Sequence, residues 1–147
     1  MSDILFLAVK DRAGKTKKAT ATSITTVTNV VTLTAGSGKD LWFGRASVSI
    51  RQNTFGTSTI RSCDVVLKAN GVEVDRITVT LQDSNVSTPT APKSIREFFN
   101  WSGFVTTGQS ITIDVVSING FYVSGTLICW EENSGESPFQ ASEFPSS

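Results

Sequence analysis

Short runs in which apolar and polar residues alternate recur along most of this chain. In the first clear run Val27, Val31 and Leu33 share one parity, while Thr26, Thr28, Thr32 and Thr34 have the other. The same period of two returns at residues 63–67 and 111–115. Such alternation predicts β-strands with one buried face and one solvated face.

Asn-Gly pairs mark two of the expected turns. Asn70-Gly71 separates two alternating runs and predicts a type I′ hairpin turn, because both residues tolerate positive φ. Asn119-Gly120 predicts a second hairpin turn. After the first turn the apolar parity switches between Val74 and Ile77, so we expect a β-bulge or sharp bend near Asp75-Arg76.

Helical signals are almost absent from the chain. Ser94 followed by Glu97 matches a capping box, which predicts one helical turn over residues 94–99. There are no heptads and no internal repeats. About eight strands, separated by frequent turn signals, predict an all-β, antiparallel β-sandwich, and they favour a jelly roll.

Composition divides the chain into three parts. Residues 1–23 are predicted to form an N-terminal arm or first strand, which includes the apolar run Ile4 to Val9, followed by a flexible basic segment. Residues 24–132 are predicted to form the sandwich, and residues 133–147 a flexible C-terminal tail. The apolar run is too short for a membrane span and lacks a basic leader. We therefore expect a protein made in a cytoplasm, without membrane contact.

The residue types argue against catalysis. The chain contains no histidine, which removes the commonest general base and metal ligand near neutral pH. Its two cysteines, Cys63 and Cys129, are too few for a tetrahedral thiolate site, and apolar surroundings predict buried free thiols, with a disulfide left open. Gly14-Lys15-Thr16 lacks the first glycine of a phosphate-binding loop. We predict no enzyme, no cofactor and no metal.

A basic segment stands out although 13 cations balance 13 anions overall. Five cations fall within nine residues, opposed only by Asp11: Lys10, Arg12, Lys15, Lys17 and Lys18. They form either a solvated loop or an arm that contacts an acidic neighbour. Because no aromatic residue interleaves them, stacking on nucleic acid is not expected, and we favour a partner protein.

Aromatic residues supply two further sets of candidates. Phe139 and Phe144 lie in the polar tail, which is either inert or docks these rings on a neighbouring subunit. Exposed rings with polar neighbours also bind sugars, although rings more often fill a core. The candidates for such a glycan site are Trp42, Trp101, Tyr122 and Trp130.

The succession of strands from residue 44 to residue 131 resembles that of a known class of proteins. Its successive segments are ASVSI, CDVVLKANGVEV, RITVTL, FVTTGQSITIDV and FYVSGTLICWEE. This order is similar to that of small β-sandwich virion proteins of tailed bacteriophages, of the head decoration, head fibre or tail-associated type. The resemblance implies a structural protein located in the virion that self-assembles, as a trimer by preference, and binds other virion proteins. The alternative is a carbohydrate-binding module or lectin-like receptor-binding domain.

Overall fold

The computed structural model describes residues 7–9, 14–56, 59–82 and 93–141, and every regular element within these ranges is a β-strand. The strands are β1 (Leu7–Val9), β2 (Thr16–Ile24), β3 (Thr28–Thr34), β4 (Lys39–Gln52), β5 (Ile60–Ala69), β6 (Val72–Gln82), β7 (Ser94–Phe98), β8 (Phe104–Val105), β9 (Ser110–Ile118), β10 (Phe121–Asn133) and β11 (Phe139–Ala141). No helix in the described ranges is long and apolar enough to cross a membrane.

The strands pair as one long hairpin that is folded over on itself. Working inward from the ends, β2 pairs with β10, β3 with β9, β4 with β7 and β5 with β6, all antiparallel. Folding this hairpin over adds the pairings of β4 with β10 and of β5 with β9. The two resulting sheets have the orders β2-β10-β4-β7 and β3-β9-β5-β6, with the short β8 beside β4. This is the order of a jelly roll, so the predicted antiparallel sandwich is confirmed.

The core lies between the two sheets and is built from the inward-facing residues of the alternating runs. Each sheet contributes aliphatic side chains that are fully buried, among them Leu41, Ile50, Leu67, Ile113 and Leu127. Because the core needs one face of each strand only, the outward faces are free to carry polar and aromatic residues. Those outward faces hold the candidate sites.

Two local predictions around the β5–β6 hairpin are confirmed. Asn70 and Gly71 both have positive φ, 50° and 79°, as a two-residue type I′ turn requires. Leu67 pairs with Asp75, and Lys68 with Glu73, so one residue of β6 is left over between the two pairs. The unpaired residue is Val74, and this β-bulge explains why the apolar parity changes along β6. It lies one residue before the position predicted from the sequence.

Three other local predictions are wrong. Residues 94–98 form strand β7 rather than a helical turn, because pairing with the edge of β4 satisfies their backbone. Asn119-Gly120 is not a hairpin turn, since β9 and β10 lie in different sheets and the turn crosses between them. Val27, expected to face the core, is 63% exposed because it lies in the bend before β3.

The ends of the sandwich also differ from the prediction. Strand β2 begins at Thr16, so the sandwich starts earlier than residue 24, and part of the expected flexible basic segment is a strand. At the other end, Phe139–Ala141 pairs with Leu7–Val9 in a separate two-stranded sheet, which we call the terminal ribbon. Part of the expected flexible tail is therefore also paired. Lys10, Arg12 and Phe144 lie outside the described residues.

Candidate functional site

Four aromatic rings meet on the outer face of the β2-β10-β4-β7 sheet. Trp42 and Trp130 lie opposite each other on β4 and β10, and Phe104 on β8 lies opposite Trp42. The ring of Phe104 stacks on Trp42, with centroids 4.5 Å apart. Phe139 of the terminal ribbon makes edge contacts with both tryptophans, at 5.9 Å and 6.0 Å. We call these four residues the terminal aromatic cluster.

The segment that leads to Phe139 folds back over buried carboxylates. Asp40 and Glu132 lie opposite each other on β4 and β10 and are 5% and 2% exposed. The Asp40 carboxylate accepts a hydrogen bond from the backbone N–H of Gly135 at 3.0 Å. The indole N–H of Trp42 donates to the carbonyl of Glu136 at 3.2 Å. These contacts fix the path of the chain between β10 and the terminal ribbon.

The described lysines of the basic segment do not form one cluster. Lys15 pairs with Glu132 at 3.0 Å and Lys17 with Glu131 at 2.7 Å. The hydrogen bond from Lys17 holds the pKa of Glu131 below its usual value. Lys18, by contrast, faces outward on β2 and makes no ion pair with the described carboxylates. Two of the three lysines thus bind carboxylates of their own chain.

The four rings proposed as a glycan site do not share one surface. Trp42 and Trp130 are together, but Phe139 of the same chain contacts both. Trp101 packs on the buried Phe43, with centroids 5.7 Å apart. Tyr122 is 42% exposed near the other end of β10. The arrangement provides no continuous aromatic platform for a sugar.

A second feature of the same outer face was not predicted from the sequence. A groove of about 230 Å³ crosses β2, β10, β4 and β7. Its hydroxyl and guanidinium side chains belong to Thr20, Thr22, Ser47, Ser49, Ser124, Thr126 and Arg96. Outward parity on each strand was visible in the sequence, but only the order of the strands brings these residues together. We call this feature the hydroxyl groove.

The described residues include neither an ionised thiol nor a metal-binding cluster. Cys63 and Cys129 are free and buried, as predicted. Burial raises the pKa of each thiol to about 12, so neither is a thiolate near neutral pH. Within the described ranges, no three Cys, Asp or Glu residues are grouped so that they could hold a metal ion.

Comparisons with known proteins give a likeness in structure and none in sequence. No family model matches the chain, and no curated protein matches it in sequence. Among solved structures, the chain is similar to one described as the acidic stable capsid structure of Helicobacter pylori bacteriophage KHP30. The TM-score is 0.45 and the identity 16%, over 96% of this chain and 100% of that chain. The structural neighbour is thus a phage capsid protein, and at this level of similarity its function is not transferred.

Proposed function

We propose that this chain is a structural, non-enzymatic component of a bacteriophage virion, which assembles with copies of itself and with other virion proteins. The terminal ribbon is the observation that carries the proposal. Strands β1 and β11 pair with each other and, within the described residues, with neither main sheet. The ribbon can therefore pair with another chain without breaking any pairing between strands of the sandwich.

The physical properties of the ribbon favour assembly with a further strand. An isolated two-stranded ribbon is marginally stable in water. In the described structure, neither Leu7–Val9 nor Phe139–Ala141 pairs with a third strand, so each presents an outer backbone edge. An unpaired edge is a template for a strand from another chain. The sequence from Ile4 to Val9 is apolar, which suits burial in such an interface.

The terminal aromatic cluster places apolar surface beside the ribbon. Phe139 is held between two tryptophans, and Phe104 remains 45% exposed on the outer side of Trp42. Aromatic residues are enriched in the buried cores of protein interfaces and contribute much of their binding energy. We therefore assign the occupant of this surface as the ribbon region of a second copy, in a closed symmetric assembly. A trimer is the expected form, following the resemblance in the sequence.

The jelly-roll fold is compatible with a structural role but does not by itself indicate one. Viral capsid proteins and lectins both use this fold, and a fold alone does not determine function. What favours the structural role is the position of the aromatic residues. Trp42 and Trp130, which a lectin could expose to a sugar, are in contact with Phe139 of their own chain.

Two measurements test the proposal. Native mass spectrometry of the full chain over a range of concentrations should give a discrete oligomer. Mass spectrometry of purified particles of the phage that encodes the chain should detect it in a fixed ratio to the major capsid protein, and labelled antibodies would then distinguish head from tail. A monomer at all concentrations that is absent from purified particles would contradict the proposal.

A further inference from the structure

The hydroxyl groove contains polar groups that the fold leaves without partners. Ser47 lines the groove and is only 8% exposed, yet its hydroxyl makes no hydrogen bond with the described residues. The hydroxyls of Thr20, Ser49 and Thr126 also make none within the described residues. Buried hydroxyls normally have a hydrogen-bond partner, so Ser47 indicates a ligand or bound water at this place.

The backbone at one wall of the groove is shaped by a β-bulge. Val123 pairs with Ile24 and Gly125 with Ala21, so two residues of β2 lie opposite the single residue Ser124. One of the two is Ser23, whose φ of 58° is unusual for a residue with a side chain. Its N–H donates to the Ser124 hydroxyl at 3.4 Å. Bulges and left-handed residues of this kind are frequent beside binding sites.

Among the described residues that line the groove, Arg96 carries the one charge. Its guanidinium lies 5.5 Å from the centre of the Phe98 ring, and Arg45 lies 5.9 Å from the centre of the same ring. Contact with an aromatic face limits the freedom of a guanidinium group. Arg96 makes no ion pair with the described carboxylates. A held, unpaired guanidinium is suited to bind a carboxylate through two parallel hydrogen bonds.

We propose that the hydroxyl groove binds an acidic sugar, with the carboxylate on Arg96 and the sugar hydroxyls on the Ser and Thr side chains. A neutral, hydroxyl-rich floor exchanges hydrogen bonds with a polyol, and a single cation suits a single carboxylate. A nucleic acid would need cations along the whole groove to match its phosphates, and among the described lining residues Arg96 is the one cation. The volume of about 230 Å³ is below the range of about 300–1,000 Å³ for drug-sized ligands, so it suits one terminal sugar.

This site is separate from the terminal ribbon, so the inference does not depend on self-assembly. Glucuronic acid is a suitable probe, with glucose and acetate as the neutral and sugar-free comparisons. Binding is measured by nuclear magnetic resonance titration of the full chain. We expect glucuronate to bind more tightly than either comparison, and we expect the shifted resonances to include Ser47 and its neighbours.

Three variants locate the site. Arg96→Gln should weaken glucuronate binding about tenfold, which corresponds to the loss of about 1.4 kcal/mol. Ser47→Ala should weaken it several-fold without changing the fold. The matched control is Arg51→Gln, which removes a cation from the same sheet outside the groove lining. Glucuronate binding equal to that of acetate, or equal weakening by both arginine variants, would overturn the proposal. If an oligonucleotide binds more tightly than glucuronate, and its binding weakens as salt is added, the groove is a nucleic-acid site and the acidic-sugar proposal is wrong.

Discussion

The ammonium group of Lys17 lies 2.7 Å from the carboxylate of Glu131, across the paired strands β2 and β10. The same carboxylate accepts a hydrogen bond from the backbone N–H of Gly36 at 3.0 Å. Three separate parts of the chain therefore meet at Glu131. The contact explains why part of the basic segment belongs to the sandwich, because Lys17 has a partner there.

The low pKa of Glu131 predicts a loss of stability in acid. A carboxyl group whose pKa is lowered by folding stabilises the protein above its ordinary pKa, which is 4.5 for this group. That contribution is lost as the pH falls through the lower pKa of the folded state. Glu131→Gln should therefore reduce stability at pH 7 and narrow the difference in stability between pH 7 and pH 3, as measured by urea unfolding.

Glu97→Gln is the matched control for this experiment. Glu97 is exposed on β7 and makes no ion pair with the described cations. Its replacement should leave the pH dependence unchanged. The same pH dependence in the wild type and in Glu131→Gln would show that the Lys17–Glu131 pair has no such role.

The buried cysteines predict slow reaction with thiol reagents. With a pKa of about 12, neither Cys63 nor Cys129 is appreciably ionised at pH 8, and both side chains are fully covered. A disulfide reagent at pH 8 should label neither thiol in the native protein and both after unfolding in guanidinium chloride. Rapid labelling of native protein would mean that the sandwich opens readily around them.

Gly44 marks a position where the sandwich cannot accept a side chain. It lies at the bulge where β4 and β10 shift register, and an added Cβ would be 2.8 Å from the carbonyl oxygen of Ile128. Gly44→Ala should lower the free energy of unfolding by about 1–3 kcal/mol. Arg51→Ala is the control, because it changes an exposed residue on the same strand. Equal effects of the two substitutions on denaturant unfolding would contradict this account.

Phe139 should anchor the chain between β10 and β11. Phe139→Ala removes the edge contacts with Trp42 and Trp130 and should cost about 1–2 kcal/mol, since the ring is partly exposed. Hydrogen exchange should also become faster at Gly135, whose N–H is bound to Asp40. Phe98→Ala removes a more exposed ring and serves as the control. No change in exchange at Gly135 would mean that the hydrogen bonds of Asp40 and Trp42 fix this segment without the ring.

The fold could be predicted from the sequence because its strongest signals are local. Alternation within each strand and the Asn70-Gly71 turn depend on neighbouring residues only. The start of β2 is not evident in the sequence, because its inward side chains include the small Ala19 and Ala21. These differ little in hydrophobicity from the threonines that alternate with them. Ser94 and Glu97 gave a misleading helical signal, since a capping box does not take account of the open edge of β4.

The candidate sites depend on relations that are not local. The hydroxyl groove needs the spatial order β2-β10-β4-β7, which places residues such as Thr20, Ser47 and Thr126 side by side. The aromatic residues were identified in the sequence, but their grouping was not. Trp42 and Phe139 are separated by most of the chain, and only the folded-over hairpin brings their rings together.

The most direct test of the central claim is the oligomeric state of a variant in which only the terminal ribbon is disrupted. Ala8→Pro removes a backbone donor from β1 without changing either main sheet. Val72→Ser, which replaces an exposed valine at the β5–β6 turn, is the control. By native mass spectrometry, we predict a discrete oligomer for the wild type and the control, and a folded monomer for Ala8→Pro. An unchanged oligomer in Ala8→Pro would contradict assembly through the ribbon, and a monomeric wild type would contradict self-assembly itself.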